Sequence, residues 1–115
     1  MKTIIAGSRT ITDYQLIEDC CQLENITEVV SGTARGVDKL GEQYANNHNI
    51  PVKLFPANWD YYGKSAGYKR NEEMADYADQ LIAFWDGNSR GTEHMIRIAQ
   101  KKGLRVVAYD INCFA

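Results

Sequence analysis

Apolar residues fall into short dense runs, separated by longer stretches in which they recur every three or four positions. Residues 2–6 form a β-branched run stopped by Gly7, and residues 27–31 form a second, ended by Gly32. A third run, 52–55, lies between Pro51 and Pro56; a fourth covers 80–85 and a fifth 104–109. Runs that do not alternate with polar residues are what strands covered on both faces require. Between them, residues 13–23 place Leu16, Ile17, Cys20 and Leu23 at helical spacing, with Thr12 or Asp13 as N-cap. Residues 37–47 carry Leu40, Tyr44 and Ala45 on one face, and a segment reaching about residue 78 turns Met74, Tyr77 and Ala78 inward. Residues 91–102 present Met95, Ile98 and Ala99, with Lys101 and Lys102 at the negative end of the dipole and Gly103 as the cap. Residues 57–69 (ANWDYYGKSAGYK) fit neither period and read as a long functional loop or lid running into a helix. Residues 110–115 have no clear type.

Strand and helix thus alternate along the chain. That predicts a parallel five-stranded sheet with helices on both faces, a three-layer Rossmann-like α/β fold with strand order 3-2-1-4-5. The 115 residues suit one domain, 1–115, and 44% hydrophobic with 24% charged residues suffices for a core without staples. A net charge of −2 and a pI of about 5.6 argue against a protein built to clamp long nucleic acid, while leaving room for a local basic site. Cys20, Cys21 and Cys113 form no C-x-x-C pair and read as reduced thiols of a cytoplasmic protein, filling space on a helix. The apolar stretch after Met1 is too short for a secretory signal, and no run approaches the ~20 residues that span a bilayer. His48 and His94 lack the Cys or carboxylate partners of a zinc site, so neither metal nor cofactor is expected. His48 reads as a surface residue at a helix end, whereas His94 lies within reach of a ligand behind Gly91 and Thr92.

In an open parallel sheet, ligands lie beyond the carboxyl ends of the strands. The first strand is followed there by Gly7-Ser8-Arg9, the second by Ser31-Gly32-Thr33-Ala34-Arg35-Gly36-Val37-Asp38, and the fourth by Asp86-Gly87-Asn88-Ser89-Arg90-Gly91-Thr92. Glycines allow close backbone approach, helix-initial amides and hydroxyls donate to an anion, and arginine offers a fixed fork for phosphate or carboxylate. Arg70 and Asn71, after the aromatic segment, add to this edge. Trp59, Tyr61, Tyr62, Tyr68 and, closest to the strand ends, Trp85 offer faces on which a base can stack. Neither a Gly-x-x-x-x-Gly-Lys-[Ser/Thr] loop nor a Gly-x-Gly-x-x-Gly follows the first strand, and no Gly-x-Ser-x-Gly elbow occurs.

At Gly7-Ser8-Arg9, SGTARGVD (31–38), GYKRNEEM (67–74) and the run from Ala78-Asp79 through IAFWDGNSRGT (82–92), nearly the whole chain resembles the SLOG group of nucleotide-binding Rossmannoid domains, in its YspA/YpsA-related branch. The second segment also resembles the Ser-Gly-x-Ala-Arg-Gly-x-Asp signature of the DNA-processing DprA proteins. Arg70 with Met74, and Gly91 with Thr92, are similar to motifs of the cytokinin-activating phosphoribohydrolases, but Asn71 replaces their lysine and Met95 their closing glutamate. The resemblance implies a module that senses or sequesters a nucleotide or nucleotide-derived, phosphate-bearing molecule, in bacterial or phage conflict. A second expectation is N-glycosidic cleavage of a nucleoside 5′-monophosphate, with Arg70 and Arg90 on the phosphate and Asp86 or Glu93 as acid/base. A third, single-strand nucleic-acid binding, is set against the acidic balance. No membrane partner is expected; a homodimer contact through Cys113-Phe114-Ala115 and a frayed tail are both open.

Overall fold

The computed structural model describes residues 1–111. Strands β1 (Lys2–Gly7), β2 (Glu28–Ser31), β3 (Val52–Leu54), β4 (Gln80–Trp85) and β5 (Arg105–Asp110) form a parallel sheet in the order β3-β2-β1-β4-β5. The helices are α1 (Tyr14–Cys21), α2 (Val37–Asn47), α3 (Trp59–Tyr62), α4 (Ala66–Tyr77) and α5 (Arg90–Lys101). This is the Rossmann-like arrangement that the run-and-period pattern predicts.

The alternation of side chains along each strand explains why the runs are continuous. On one face Ile5, Val29, Ile82 and Phe84 pack with Ile17, Cys20 and Cys21 of α1 and with Val37, Tyr44 and Ala45 of α2. On the other, Ile4, Ala6, Val30, Leu81 and Ala83 pack with Met74 and Ala75 of α4 and with Met95 and Ala99 of α5. The helices that follow β1 and β2 therefore cover one face, and those that follow β3 and β4 cover the other. The switch lies between β1 and β4, where a crevice opens beyond the carboxyl ends. Cys20 and Cys21 are buried fillers with free thiols, and burial pushes the Cys21 thiol up to about 12. Cys113, Phe114 and Ala115 lie outside the described residues.

Two expectations need correction. Helix α1 ends at Cys21, and the amides of Leu23 and Glu24 turn back to the carbonyls of Cys20 and Cys21. That turn swings Leu23 off the apolar face, leaving it 77% exposed. The segment 57–69 is not a loop: Asn58 caps α3 by accepting from the Tyr61 amide at 3.1 Å, and a 3-10 turn over Gly63–Ser65 leads into α4. No residue of α3 is buried, so it carries no apolar stripe for the helical period to reveal. Arg70 stands near the start of α4, in its second turn. Among the described residues no helix is long and apolar enough to cross a membrane.

Gly41 sets how closely α2 seats on the sheet. A Cβ there would meet the Cβ and Cγ2 of Ile5 at 2.9 Å, atoms rooted in the central strand. Alanine is the better helix former by about 1 kcal/mol, but overpacking costs about 1–3 kcal/mol. Gly41→Ala should therefore lower the unfolding free energy in a urea titration; an unchanged or raised midpoint would show that α2 withdraws from β1 freely.

Candidate functional site

The loops after β1, β2 and β4 meet. Ser8 is buried, its amide donating to the Phe84 carbonyl at 3.0 Å and its hydroxyl accepting from the Asp86 amide at 3.2 Å, so the ends of β1 and β4 are tied together. Gly36 lies against the first loop: at φ 76°, a Cβ would stand 2.6 Å from the Ser8 carbonyl and the Arg9 Cα. Only glycine satisfies both the left-handed backbone and the contact. Ser31 shapes the second loop from within. It donates to Glu42 Oε2 at 2.6 Å and accepts from the Thr33 amide at 3.1 Å, holding Thr33 at φ 64°, where β-branched residues are rarely found. After β4, Asp86 Oδ1 accepts from the amides of Asn88 and Ser89 at 2.8 and 2.9 Å, and those bonds hold its carboxyl below the usual range. Ser89 then caps α5 by accepting from the Thr92 amide.

These loops enclose a cleft of about 70 Å³, lined by Gly7, Arg9, Ala34, Asp38, Arg70, Asn71, Ser89, Gly91 and Thr92, with Ala6, Met74 and Met95 as its apolar wall. It widens past Arg9 and Arg70 into a region of about 400 Å³ bounded by Gly32, Thr33, Ala34, Arg35, Pro56, Ala57 and Trp59. A further hollow of about 190 Å³ adjoins it, where Trp59, Lys64, Gly67 and Tyr68 surround Arg9, Arg70 and Asn71.

Helix α4 reaches across the cleft to two of the loops. Arg70 Nη1 donates to the Gly32 carbonyl at 2.6 Å and Nε to Asn71 Oδ1 at 3.2 Å. Asn71 Nδ2 reaches the Gly91 carbonyl at 3.3 Å and His94 Nδ1 at 3.0 Å. Since an amide nitrogen only donates, His94 Nδ1 accepts and its proton rests on Nε2. Desolvation moves the His94 pKa down, in keeping with a neutral ring, which also packs edge-on to Tyr68.

The carboxylate lining the cleft is Asp38. It is 6% exposed, and its Oδ2 accepts from the Ala34 amide at 3.1 Å. Burial, reinforced by Glu42 on its own helix, pushes its pKa up to about 6 against the opposing effects of the Ala34 amide, Arg70 and Arg9. Desolvation lowers the Arg70 pKa, with Asp38 acting against it.

Of the residues singled out in the sequence, Gly7, Arg9, Gly32, Ala34, Arg35, Asp38, Arg70, Asn71, Ser89, Gly91 and Thr92 line the cleft or its outer region. Ser8, Ser31 and Gly36 build the loops from behind. Trp85 closes its own turn, its indole Nε1 donating to the Ser89 carbonyl at 3.0 Å, and Gly87 takes φ 86° in that turn. Trp59, 53% exposed, is the aromatic that borders the cation-lined region. Glu93 pairs with Arg97 at 2.5 Å and lies with Arg90, His94 and Tyr68 around a separate shallow hollow. His48, at the end of α2, bonds Glu18 at 2.8 Å. Sequence reasoning missed the bonds from α4 to the loops, which join residues 20 to 38 positions apart, and the burial of Asp38 at the cleft floor. Among the described residues no three His, Cys, Asp or Glu side chains gather as a metal site would require.

Comparison with known proteins places the family and the fold. The sequence profile of the YspA, cpYpsA-related SLOG family matches residues 1–62, which include the first two loops. The chain is 35% identical over 119 residues to the Gene 61 protein of Mycobacterium phage D29, covering 94% of this chain and 95% of that one. Among solved structures it is similar in fold to DNA processing protein A of Streptococcus pneumoniae, with a TM-score of 0.77 and 21% identity over 93% of this chain. It spans about half, 49%, of that longer protein.

Asp38 makes the site's electrostatics testable. Its native carboxyl, near 6, holds a proton more tightly than an unfolded one near 3.8, so the stability it contributes is present below about pH 4 and lost as pH rises through about 6. Asp38→Asn removes this titration. Relative to wild type, the variant should gain about 2 kcal/mol between pH 4 and pH 7 in paired urea titrations. Parallel pH profiles would show that Asp38 titrates as an ordinary surface carboxylate.

Proposed function

The chain belongs to the YspA, cpYpsA-related SLOG family, and we propose that it binds a nucleotide or nucleotide-derived, phosphate-bearing small molecule in the cleft at the carboxyl edge of its sheet. The observation that carries this reading is the convergence of Arg9, Arg70 and the start of α5 on one crevice at the switch point. Arg70 uses Nε and Nη1 within the protein; its remaining N–H groups suit a phosphate oxygen, and Arg9 stands beside it. Ser89 caps the Thr92 amide, while the preceding amides of Arg90 and Gly91 lie at the positive end of the dipole of α5. The exposed Trp59 borders the same space and suits a base better than Trp85, whose indole is engaged. On this reading residues 1–115 act as one binding domain of a cytoplasmic protein that senses or sequesters its ligand.

The phosphoribohydrolase reading finds less support. Asp86 is ionised and engaged by its own turn, Glu93 is paired with Arg97, and Met95 is a buried core residue. Nucleic-acid binding is the second reading, favoured by the likeness to DNA processing protein A, which gives no support to setting nucleic acid aside on overall charge.

Thermal melts with the nucleoside 5′-monophosphates and ADP-ribose test the proposal. Ligand at a hundredfold excess over Kd adds about 2.7 kcal/mol, a rise of several degrees. Arg70→Ala should weaken binding by tenfold or more, as loss of a charge-assisted hydrogen bond does, while Arg90→Ala, outside the cleft, should change it by less than about threefold. No shift with any of these ligands, together with a salt-resistant gel shift of a single-stranded oligonucleotide, would replace the small-molecule reading with the nucleic-acid one.

A further inference from the structure

An anion site needs donors, yet the floor of this cleft carries an acceptor. Asp38 is nine-tenths buried and lines the crevice beside Arg9, Arg70 and Asn71. Its Oδ2 accepts from Ala34, and among the described residues no hydrogen bond reaches Oδ1. An ionised carboxylate can only accept, through about four lone-pair sites, so a phosphate oxygen is repelled there and satisfies none of them. Whatever ligand group meets Asp38 has to be a donor, and a hydroxyl supplies one without adding charge. The cleft thus asks for hydroxyls at its narrow floor, an anion at Arg9 and Arg70, and a flat apolar surface near Trp59 farther out. A pentose with neighbouring hydroxyls, joined to both a phosphate and a base, meets all three demands within one small molecule.

We infer that Asp38 receives the vicinal ribose hydroxyls of the ligand whose phosphate Arg9 and Arg70 hold, so that the cleft takes ribonucleotides in preference to 2′-deoxyribonucleotides. This rests on the nucleotide reading above and adds to it the class of sugar. Asp38 and Arg70 both abut Gly32, where a Cβ would stand 2.8 Å from Asp38 Oδ2 and 3.0 Å from Arg70 Cδ. The acceptor for the sugar and the donor for the phosphate therefore stand within one side chain's reach of each other.

Titration calorimetry with the four ribonucleoside 5′-monophosphates and their 2′-deoxy counterparts, compared base by base, tests the inference. It is run at pH 7.5, above the value near 6 at which Asp38 loses its proton. The ribose member of a pair should bind the wild type at least about tenfold more tightly, since without its hydroxyl the ligand covers the Asp38 acceptor without pairing it. In Asp38→Asn the ratio should fall to within about threefold, while binding of the deoxy member stays level or tightens because a negative charge near the phosphate is gone. If Asp38 serves only to shape its loop, the variant weakens both members alike and the wild type does not discriminate, which overturns the inference. Equal wild-type affinities overturn it even if the variant fails to fold, and leave the nucleotide reading standing. Binding of neither member in any pair removes the nucleotide reading itself.

Discussion

Arg70 carries a permanent charge into a half-buried position at the carboxyl edge of the sheet, and the loops of the cleft are arranged around it. Withdrawing a guanidinium from water is costly unless its donors find acceptors and its charge a partner. The Gly32 carbonyl and Asn71 Oδ1 supply the acceptors, and Asp38 supplies the opposing charge. Each partner is in turn constrained. Gly32 has no side chain because Arg70 and Asp38 fill that space, and Asn71 spends its amide on Gly91 and His94, which joins α4 to the start of α5. The second and third loops thus hold their places through one helix turn. Its orientation is set by the burial of Met74 and Ala75 one turn further on.

That dependence explains which features could be read along the chain and which could not. The sheet was legible because β1 and β4 are apolar on both faces, and β4 and α2 have the bounds their periodicity predicts. Topology then brings the loops after β1, β2 and β4 to one edge, so most of the cleft's residues could be named in advance. Helix α3 could not be, because a four-residue helix with no buried face leaves only its cap, Asn58, as a signal. Leu23 misled because helical spacing runs on for two residues past the point where the backbone turns. Trp85 drew attention by its position at a strand end, but the distance from its indole to the Ser89 carbonyl is a property of the folded turn. Asp38 differs again. Its place in the motif was visible, while its neighbourhood with Arg70, 32 positions away in sequence, arises only where both side chains meet Gly32.

Overall charge is a poor guide to this edge. The net charge of −2 averages over the surface, whereas Arg9, Arg35, Lys64 and Arg70 all border the cleft and its outer region. Fields act over about a Debye length, roughly 8 Å at physiological salt, so a ligand in the cleft meets these groups and not the distant carboxylates. A short anionic ligand and a polynucleotide differ in how far they extend beyond that range. The narrow floor of about 70 Å³ favours a compact group at its end, and this weighs toward a small molecule.

Met95 bears on whether such a ligand is held or cleaved. In the phosphoribohydrolase motif that the loop resembles, this place belongs to a carboxylate, which can polarise water or balance positive charge on a sugar. Here the side chain is 1% exposed and packs with Ile4, Leu81 and Ala99, so the position is committed to the core beneath the cleft. Its thioether adds to the apolar wall of the cleft and offers neither a charge nor a proton-transfer group there. The acceptor chemistry of the cleft has instead been gathered at Asp38, beside the arginines and next to Gly32. On the proposed nucleotide-binding reading, a carboxylate there holds neutral donors and keeps Arg70 aligned.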